Sequence, residues 1–169
     1  MGKIVRNNLF FSESDFLFEQ EIGMDYIKQD VNQTITLYRV DRTKTMVDDL
    51  YGETISKYIA YKEPVELNVL YTIDKPKNMT YDKTQQVGNY KLVGNIKVNV
   101  FIKTLEENNI DISYGDFIGV DVTPTQTLYF EITNDGKMDF DNSHTIYGYK
   151  PYYRTILGVP VDKNVFNGK

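Results

Sequence analysis

Few residues in this chain have the types and the spacing that catalysis requires. Asp141, Ser143 and His144 are the residue types of a hydrolase triad, but they are almost adjacent in the sequence. Consecutive residues of a strand point to opposite faces, so neighbours of this kind rarely assemble as nucleophile, base and orienting acid. A polar turn is the favoured interpretation of this segment.

Pairs of carboxylates are the next candidates for chemistry. On a strand, the spacing of Asp139 and Asp141 would place both side chains on one face, where they could bind a hard cation or serve as acid and base. A solvated hairpin rim is the commoner structure for such a pair, and the same holds for the pairs Asp48-Asp49 and Glu106-Glu107. With one His, no Cys and no glycine-rich phosphate loop, the sequence predicts no catalytic residue, no metal site, no cofactor and no enzyme.

Two further segments carry residue types that favour protein contacts. Tyrosines cluster in YGYKPYYR near the C-terminus, and tyrosine combines a large contact area with a polar tip. The second segment is the acidic turn DDLYGE at residues 48–53. The predicted interface residues are Asp48, Asp49, Tyr51, Glu53, Tyr147, Tyr149, Tyr152, Tyr153 and Arg154. Because aromatic rows also bind sugars, a glycan- or receptor-binding platform stays open as the alternative.

A short helix is predicted ahead of the strands, at about residues 12–28. Ser12 can cap it, and Asp15 lies three residues later, near the positive end of the helix dipole. The apolar residues Phe16, Leu17, Phe18 and Ile22 follow before Gly23.

Alternation with a period of two predicts two strands that each turn one face to a core. The inward residues are Val65, Leu67, Val69, Tyr71 and Ile73 in the first strand, and Ile96, Val98, Val100 and Ile102 in the second.

Weaker strand patterns and turn residues complete a mainly β prediction. Asn134-Asp135-Gly136 and Gly94-Asn95 supply residues that tolerate positive φ at hairpin turns. The weaker strands are Thr34–Val40, Tyr58–Tyr61, Gly88–Val93, Ile110–Tyr114, Phe117–Val122 and Leu128–Thr133, with a last one around Met138–Phe140 or Thr145–Tyr147. An antiparallel β-sandwich or barrel follows. Asp74–Lys83 and Thr104–Asn109 are predicted loops, and residues 154–169 are predicted to form an extended tail.

Composition sets the class of protein. The 169 residues fit a single β-rich domain, and the net charge of −5 argues against a surface that as a whole grips nucleic-acid phosphates. No apolar run approaches the roughly 20 residues of a membrane-spanning helix, and the N-terminus lacks the pattern of a secretory signal. The sequence predicts a protein without a membrane partner.

Several short motifs, taken in order, resemble the neck or head-completion proteins of contractile-tailed bacteriophages. An extended segment ends in a tyrosine and a basic residue at Thr34–Arg39, and an acidic residue, two spacers and Gly-Glu follow at Asp49–Glu53. A Gly-Asp-aliphatic element stands at Gly115–Ile118, and a strand of the type Leu-Phe-Glu-Ile at Leu128–Ile132. The resemblance covers roughly Phe16 to Tyr153. Asp74–Lys83 replaces a glycine-rich segment of the family, and Thr104–Glu107 replaces a basic run.

The resemblance implies a structural virion protein that is assembled in the bacterial cytoplasm. Such a subunit forms a homo-oligomeric ring at the head-to-tail junction. The ring joins portal or adaptor proteins to tail-completion proteins around a channel through which DNA passes without sequence-specific binding. A negative channel wall would repel DNA and let it slide, which suits the net charge of this chain.

Overall fold

The chain is mainly β, as the alternation predicts. The computed structural model describes residues 11–45, 59–75, 77–81, 88–92, 94–142, 144–145, 148–162 and 166. The strands are β1 Thr34–Tyr38, β2 Val65–Asn68, β3 Leu70–Ile73, β4 Lys77–Tyr81, β5 Gly88–Leu92, β6 Ile96–Phe101, β7 Phe117–Thr123, β8 Gln126–Asn134 and β9 Tyr153–Val161. The helices are α1 Glu13–Asp25, continued by a π-helical turn Tyr26–Val31, α2 Ile102–Glu107 and α3 Lys137–Asn142. None of the described helices is long and apolar enough to cross a membrane.

Seven strands form one antiparallel sheet that closes on itself. Their order is β2-β1-β7-β8-β9-β6-β3, and the two end strands are consecutive in the chain, separated only by Val69. Val69 and Tyr71 donate their backbone N–H groups to the carbonyl and the side chain of Gln33, beside β1. Leu70 and Thr72 pair with β6. One chain segment therefore bonds along both of its edges, which makes the sheet a barrel rather than a sandwich.

The barrel interior is filled by the alternating aliphatic side chains. Both predicted inward faces are confirmed up to Val100, although Val65, Tyr71 and Ile73 are only partly buried. Ile102 is an exception, because α2 begins there and carries the residue out of the strand period. The buried core comprises Ile35, Leu37, Leu67, Val69, Ile96, Val98, Val100, Leu105, Ile110, Ile112, Ile118, Val120, Phe130, Ile132 and Ile156.

Helix α1 packs on the outside of the barrel through its second half. Ser12 and Asp15 form the predicted capping box, and these hydrogen bonds lower the pKa of Asp15. The helix continues through Gly23. A Cβ at that position would lie 3.1 Å from the Phe101 ring, so glycine lets the helix backbone approach the barrel closely. Met24 then packs into the same cluster.

Within the segment predicted as the loop Asp74–Lys83, Lys77–Tyr81 is instead a strand, β4, and forms one arm of a β-ribbon. β4 pairs with β5 in the same antiparallel register as β3 with β6: Ile73 lies opposite Ile96, and Lys77 lies opposite Leu92. The ribbon therefore continues the β3–β6 pair beyond the barrel, and its backbone groups are paired although the segment is polar. The Gly94-Asn95 turn lies at the base of the ribbon, not between two paired strands.

Three other predictions near the C-terminal half are wrong. Thr104–Asn109 is not a loop, since Thr104–Glu107 belong to α2. The strand predicted around Met138–Phe140 is helix α3, and Gly136 (φ +70°) turns the chain into it rather than into a hairpin. Residues 154–161 are no tail, because β9 is an interior strand between β8 and β6.

Two of the weaker strand predictions fail in part. Ile110–Tyr114 has no regular strand structure, although Ile110 and Ile112 are buried in the core. In the segment Tyr58–Tyr61, Tyr61 makes an isolated bridge to Val40, and Tyr58 lies outside the described residues.

Candidate functional site

The structure describes about half of the predicted interface residues. Asp48, Asp49, Tyr51, Glu53 and Tyr147 lie outside the described residues. The other four, Tyr149, Tyr152, Tyr153 and Arg154, lie at the start of β9 and just before it.

Two of these tyrosines are engaged within the subunit rather than arrayed on its surface. Tyr149 stacks on Phe16 of α1 with ring centroids 4.6 Å apart, and Tyr152 stacks on Phe101 at 5.5 Å. Tyr153, on the outer face of β9, keeps 43% of its surface exposed. The rings therefore join α1 to the barrel and do not form a flat, open platform.

Arg154 is the residue that the structure sets apart. It alternates with Ile156 and Gly158 on the inward face of β9, and its exposed fraction is only 8%. Its Nε and Nη2 atoms are enclosed and have no hydrogen-bond partner among the residues that the structure describes. Burial lowers the pKa of Arg154, and the carboxylates of Asp111 and Asp135 act against that shift.

An open pocket of about 490 Å³ lies between α2 and α3, and Arg154 forms part of its lining. We call it the Arg154 pocket. Its apolar wall consists of Ile102, Leu105, Ile110 and Phe140, and its polar wall of Glu106, Asn109, Asp111, Lys137, Asp141 and Arg154. Ile102 thus lines the pocket instead of the predicted core.

Lys137, at one side of the Arg154 pocket, forms ion pairs with two carboxylates. Lys137 Nζ lies 2.9 Å from Asp111 Oδ2 and 3.8 Å from Asp135 Oδ2. Asp135 also accepts the backbone N–H of Lys137 at 3.1 Å, which fixes the start of α3. Lys150 donates to the backbone carbonyls of Phe140 and Asp141 at the other end of that helix. α3 is therefore held at both ends, with the pocket on one side.

The Gly115-Asp116 element has a structural role at the end of β1. Asp116 is buried, and its two carboxylate oxygens accept the backbone N–H groups of Val40 and Ser113, each at 2.9 Å. Burial raises the pKa of Asp116, although both hydrogen bonds act in the other direction. Gly115 has φ +83°, which favours glycine. The element ties the end of β1 to the beginning of β7.

A cluster of five aromatic rings covers the outer face of β1, β7 and β8. Phe166 is at its centre, 7% exposed and stacked on Tyr129 at 4.2 Å. Burial and the charge of Glu131 raise the pKa of Tyr61 to about 12. We call this the outer aromatic cluster; its members are Tyr38, Tyr61, Phe117, Tyr129 and Phe166. Phe166 thus packs on the outer face of the barrel.

Helix α1 leaves an apolar row exposed on the side away from the barrel. Phe18, Ile22 and Tyr26 follow one another at intervals of four residues, and each keeps more than half of its surface exposed. Leu17 extends the row with 49% exposure. Such a row is typical of a protein contact surface.

The candidates for catalysis are not assembled by the structure. Asp139 and Asp141 lie in α3, where a spacing of two places side chains on different faces, unlike the strand that the sequence predicted. His144 is exposed, and Ser143 lies outside the described residues. Among the residues that are described, no group of three His, Cys, Asp or Glu side chains could hold a metal ion.

The Arg154 pocket is the feature that sequence reasoning missed. Arg154 is a predicted interface residue because arginine is a favoured contact residue, whereas the structure buries it. The alternation of Arg154, Ile156 and Gly158 is a signal for a strand, although Pro160 interrupts the pattern. No family model matches the sequence, and no curated protein matches it either.

Proposed function

We propose that this chain is a non-enzymatic structural subunit of a bacteriophage virion, forming a ring at the head-to-tail junction. The observation that supports this best concerns the motifs of the resemblance. Thr34–Arg39 is far in sequence from Gly115–Ile118 and Leu128–Ile132, which belong to one hairpin, yet β1 pairs directly with β7 at this position. Asp116 links the first two directly through the backbone of Val40. The shared residues thus form one contiguous three-stranded unit.

The surface of the molecule offers two regions that are suited to contacts with other chains. The barrel uses the edges of its own strands, so the ribbon of β4 and β5 supplies the free strand edges in the described part of the chain. The exposed row of α1, comprising Leu17, Phe18, Ile22 and Tyr26, supplies an apolar contact. Repetition of one heterologous contact around an axis produces a closed ring.

The net charge of −5 is compatible with the channel of such a ring. Acidic walls repel the phosphates of DNA, so a strand can pass without being held. The neighbours in this proposal are a portal-side ring and a tail-side ring, and DNA is a passing occupant rather than a ligand.

The glycan-binding alternative would use the aromatic residues of Tyr147–Tyr153 as its platform. Tyr147 lies outside the described residues, and Tyr149 and Tyr152 stack on phenylalanines of the same subunit, which leaves less open ring surface for a sugar. Tyr153 is the exposed ring among the three described tyrosines. A sugar site usually needs a broader open aromatic surface than one ring gives.

Gene disruption in the phage that encodes the chain tests the proposal. We expect filled heads and free tails that fail to join, and joining restored when the wild-type chain is supplied in trans. A double variant, Phe18→Ser with Ile22→Ser, is expected to fold but to restore joining poorly. Met138→Ser removes an equally apolar side chain that is 77% exposed on α3, and serves as the matched control. Normal particles without the chain would contradict the proposal.

A further inference from the structure

One edge of the Arg154 guanidinium lacks hydrogen-bond acceptors within the described structure. Nε and Nη2 carry the two parallel N–H groups with which a guanidinium holds a carboxylate side-on. Both atoms are enclosed and neither has a partner among the described residues. An unpaired charge in such a place is costly, so an acceptor that completes this edge would stabilise the protein.

Neighbouring carboxylates do not fill that position. Asp111 and Asp135 pair with Lys137, at 2.9 and 3.8 Å. Asp111, Asp135 and Asp141 act on Arg154 only as nearby charges, and no carboxylate in the described chain lies within ion-pair distance of the guanidinium. Within the described residues, the position of an acceptor at this edge is therefore unfilled.

The walls of the Arg154 pocket restrict which molecule could supply an acceptor. Ile102, Leu105, Ile110 and Phe140 form the apolar part of the lining to which Arg154 also belongs. The charged residues of the lining are three carboxylates, Glu106, Asp111 and Asp141, against Lys137 and Arg154, so its net formal charge is −1, which disfavours a phosphate or any other multiply charged anion. A single carboxylate on an apolar body satisfies both conditions.

We propose that the Arg154 pocket binds a monocarboxylate with an apolar body, which Arg154 holds side-on through Nε and Nη2. Because this edge is enclosed without a ligand, the Arg154 side chain has to turn toward the pocket as the ligand enters. The carboxylate belongs either to a small molecule or to the end of a protein segment, and the chemistry of recognition is the same. This inference goes beyond the structural role proposed above and does not depend on it.

Titration of the full chain with 3-phenylpropionate tests the proposal, by calorimetry and by amide chemical shifts. We expect saturable binding with shifts around α2, α3 and β9. The primary amide of the same compound is expected to bind on the order of tenfold more weakly or worse, because it lacks the charge that pairs with Arg154. Phenyl phosphate, a dianion, is also expected to bind more weakly than the monocarboxylate.

Variants and peptides complete the test. Arg154→Met removes the guanidinium with little change in volume and is expected to abolish binding, whereas Arg42→Met, at an exposed arginine, leaves binding intact. If Arg154→Met fails to fold, the comparison of acid and amide on the wild-type chain still tests whether the carboxylate is recognised.

A short peptide ending in phenylalanine with a free carboxylate, compared with its amidated form, distinguishes a protein segment from a small molecule. Equal binding of acid and amide, tighter binding of phenyl phosphate, or no binding of any carboxylate at millimolar concentration would overturn the proposal.

Discussion

Replacement of Phe166 by alanine tests whether this aromatic side chain is an integral part of the fold. The ring is 7% exposed and contacts four others, with centroids 4.2 Å from Tyr129, 4.8 Å from Tyr38, 5.3 Å from Tyr61 and 5.5 Å from Phe117. Phe→Ala substitutions in cores cost about 3–5 kcal/mol. Since this cluster lies on the outside of the barrel, where water can refill part of the space, we expect about 3 kcal/mol for Phe166→Ala.

Urea denaturation gives the change in unfolding free energy, provided that the m-value stays the same. The matched control is Phe18→Ala, which makes the same substitution at a side chain that is 64% exposed. The control is expected to change stability by no more than about 0.5 kcal/mol. If both variants lose the same small amount of unfolding free energy, Phe166 does not stabilise the fold and the outer aromatic cluster is not a stabilising unit.

Three further predictions concern the barrel and its connections. Leu67→Ala, at a buried interior position, is expected to lower the unfolding free energy by about 2–5 kcal/mol, as measured by urea denaturation. Gly136→Ala is expected to prevent stable folding, visible as loss of the cooperative thermal transition, because a Cβ would lie 2.1 Å from the Thr155 carbonyl at a φ of +70°. Asp116→Asn keeps one of two backbone hydrogen bonds and should cost about 1–3 kcal/mol at neutral pH. Because burial raises the pKa of Asp116 above its ordinary value of 3.8, the protonated form favours the folded state. The stability of the wild type relative to this variant should therefore fall as pH rises from about 3 to about 7, and a difference that grows with pH would contradict the assignment.

Most of the barrel could be predicted from the sequence because its strands are half-buried. Each alternates an aliphatic face with a polar one, and the period alone identified the inward side of 65–73 and of 96–100. The period does not indicate which strands pair with one another. The barrel closes because one segment, which includes Val69 and Tyr71, pairs with different strands along its two edges. The local sequence does not indicate this pairing.

The missed elements are those in which tertiary contacts outweigh local preference. The ribbon at Lys77–Tyr81 is polar and follows a proline, yet it continues the register that β3 and β6 already impose. β9 contains an arginine, a glycine and a proline, which favour a tail, but Gly158 is required inside the barrel, where a Cβ would approach Ile96 to 2.9 Å. Burial of Arg154 followed from that strand, so the candidate site could not be predicted before the strand was known.

The proposed place of the chain at a phage head-to-tail junction is tested most directly by an electron cryomicroscopy map of virions from the source of this sequence. We expect a closed ring of copies around the DNA channel, with each barrel fitted by the strand order found here and with α1 or the β4–β5 ribbon against a neighbouring chain. A junction built without this chain, or a map in which the barrel stands apart as a single copy with both surfaces facing solvent, would contradict it.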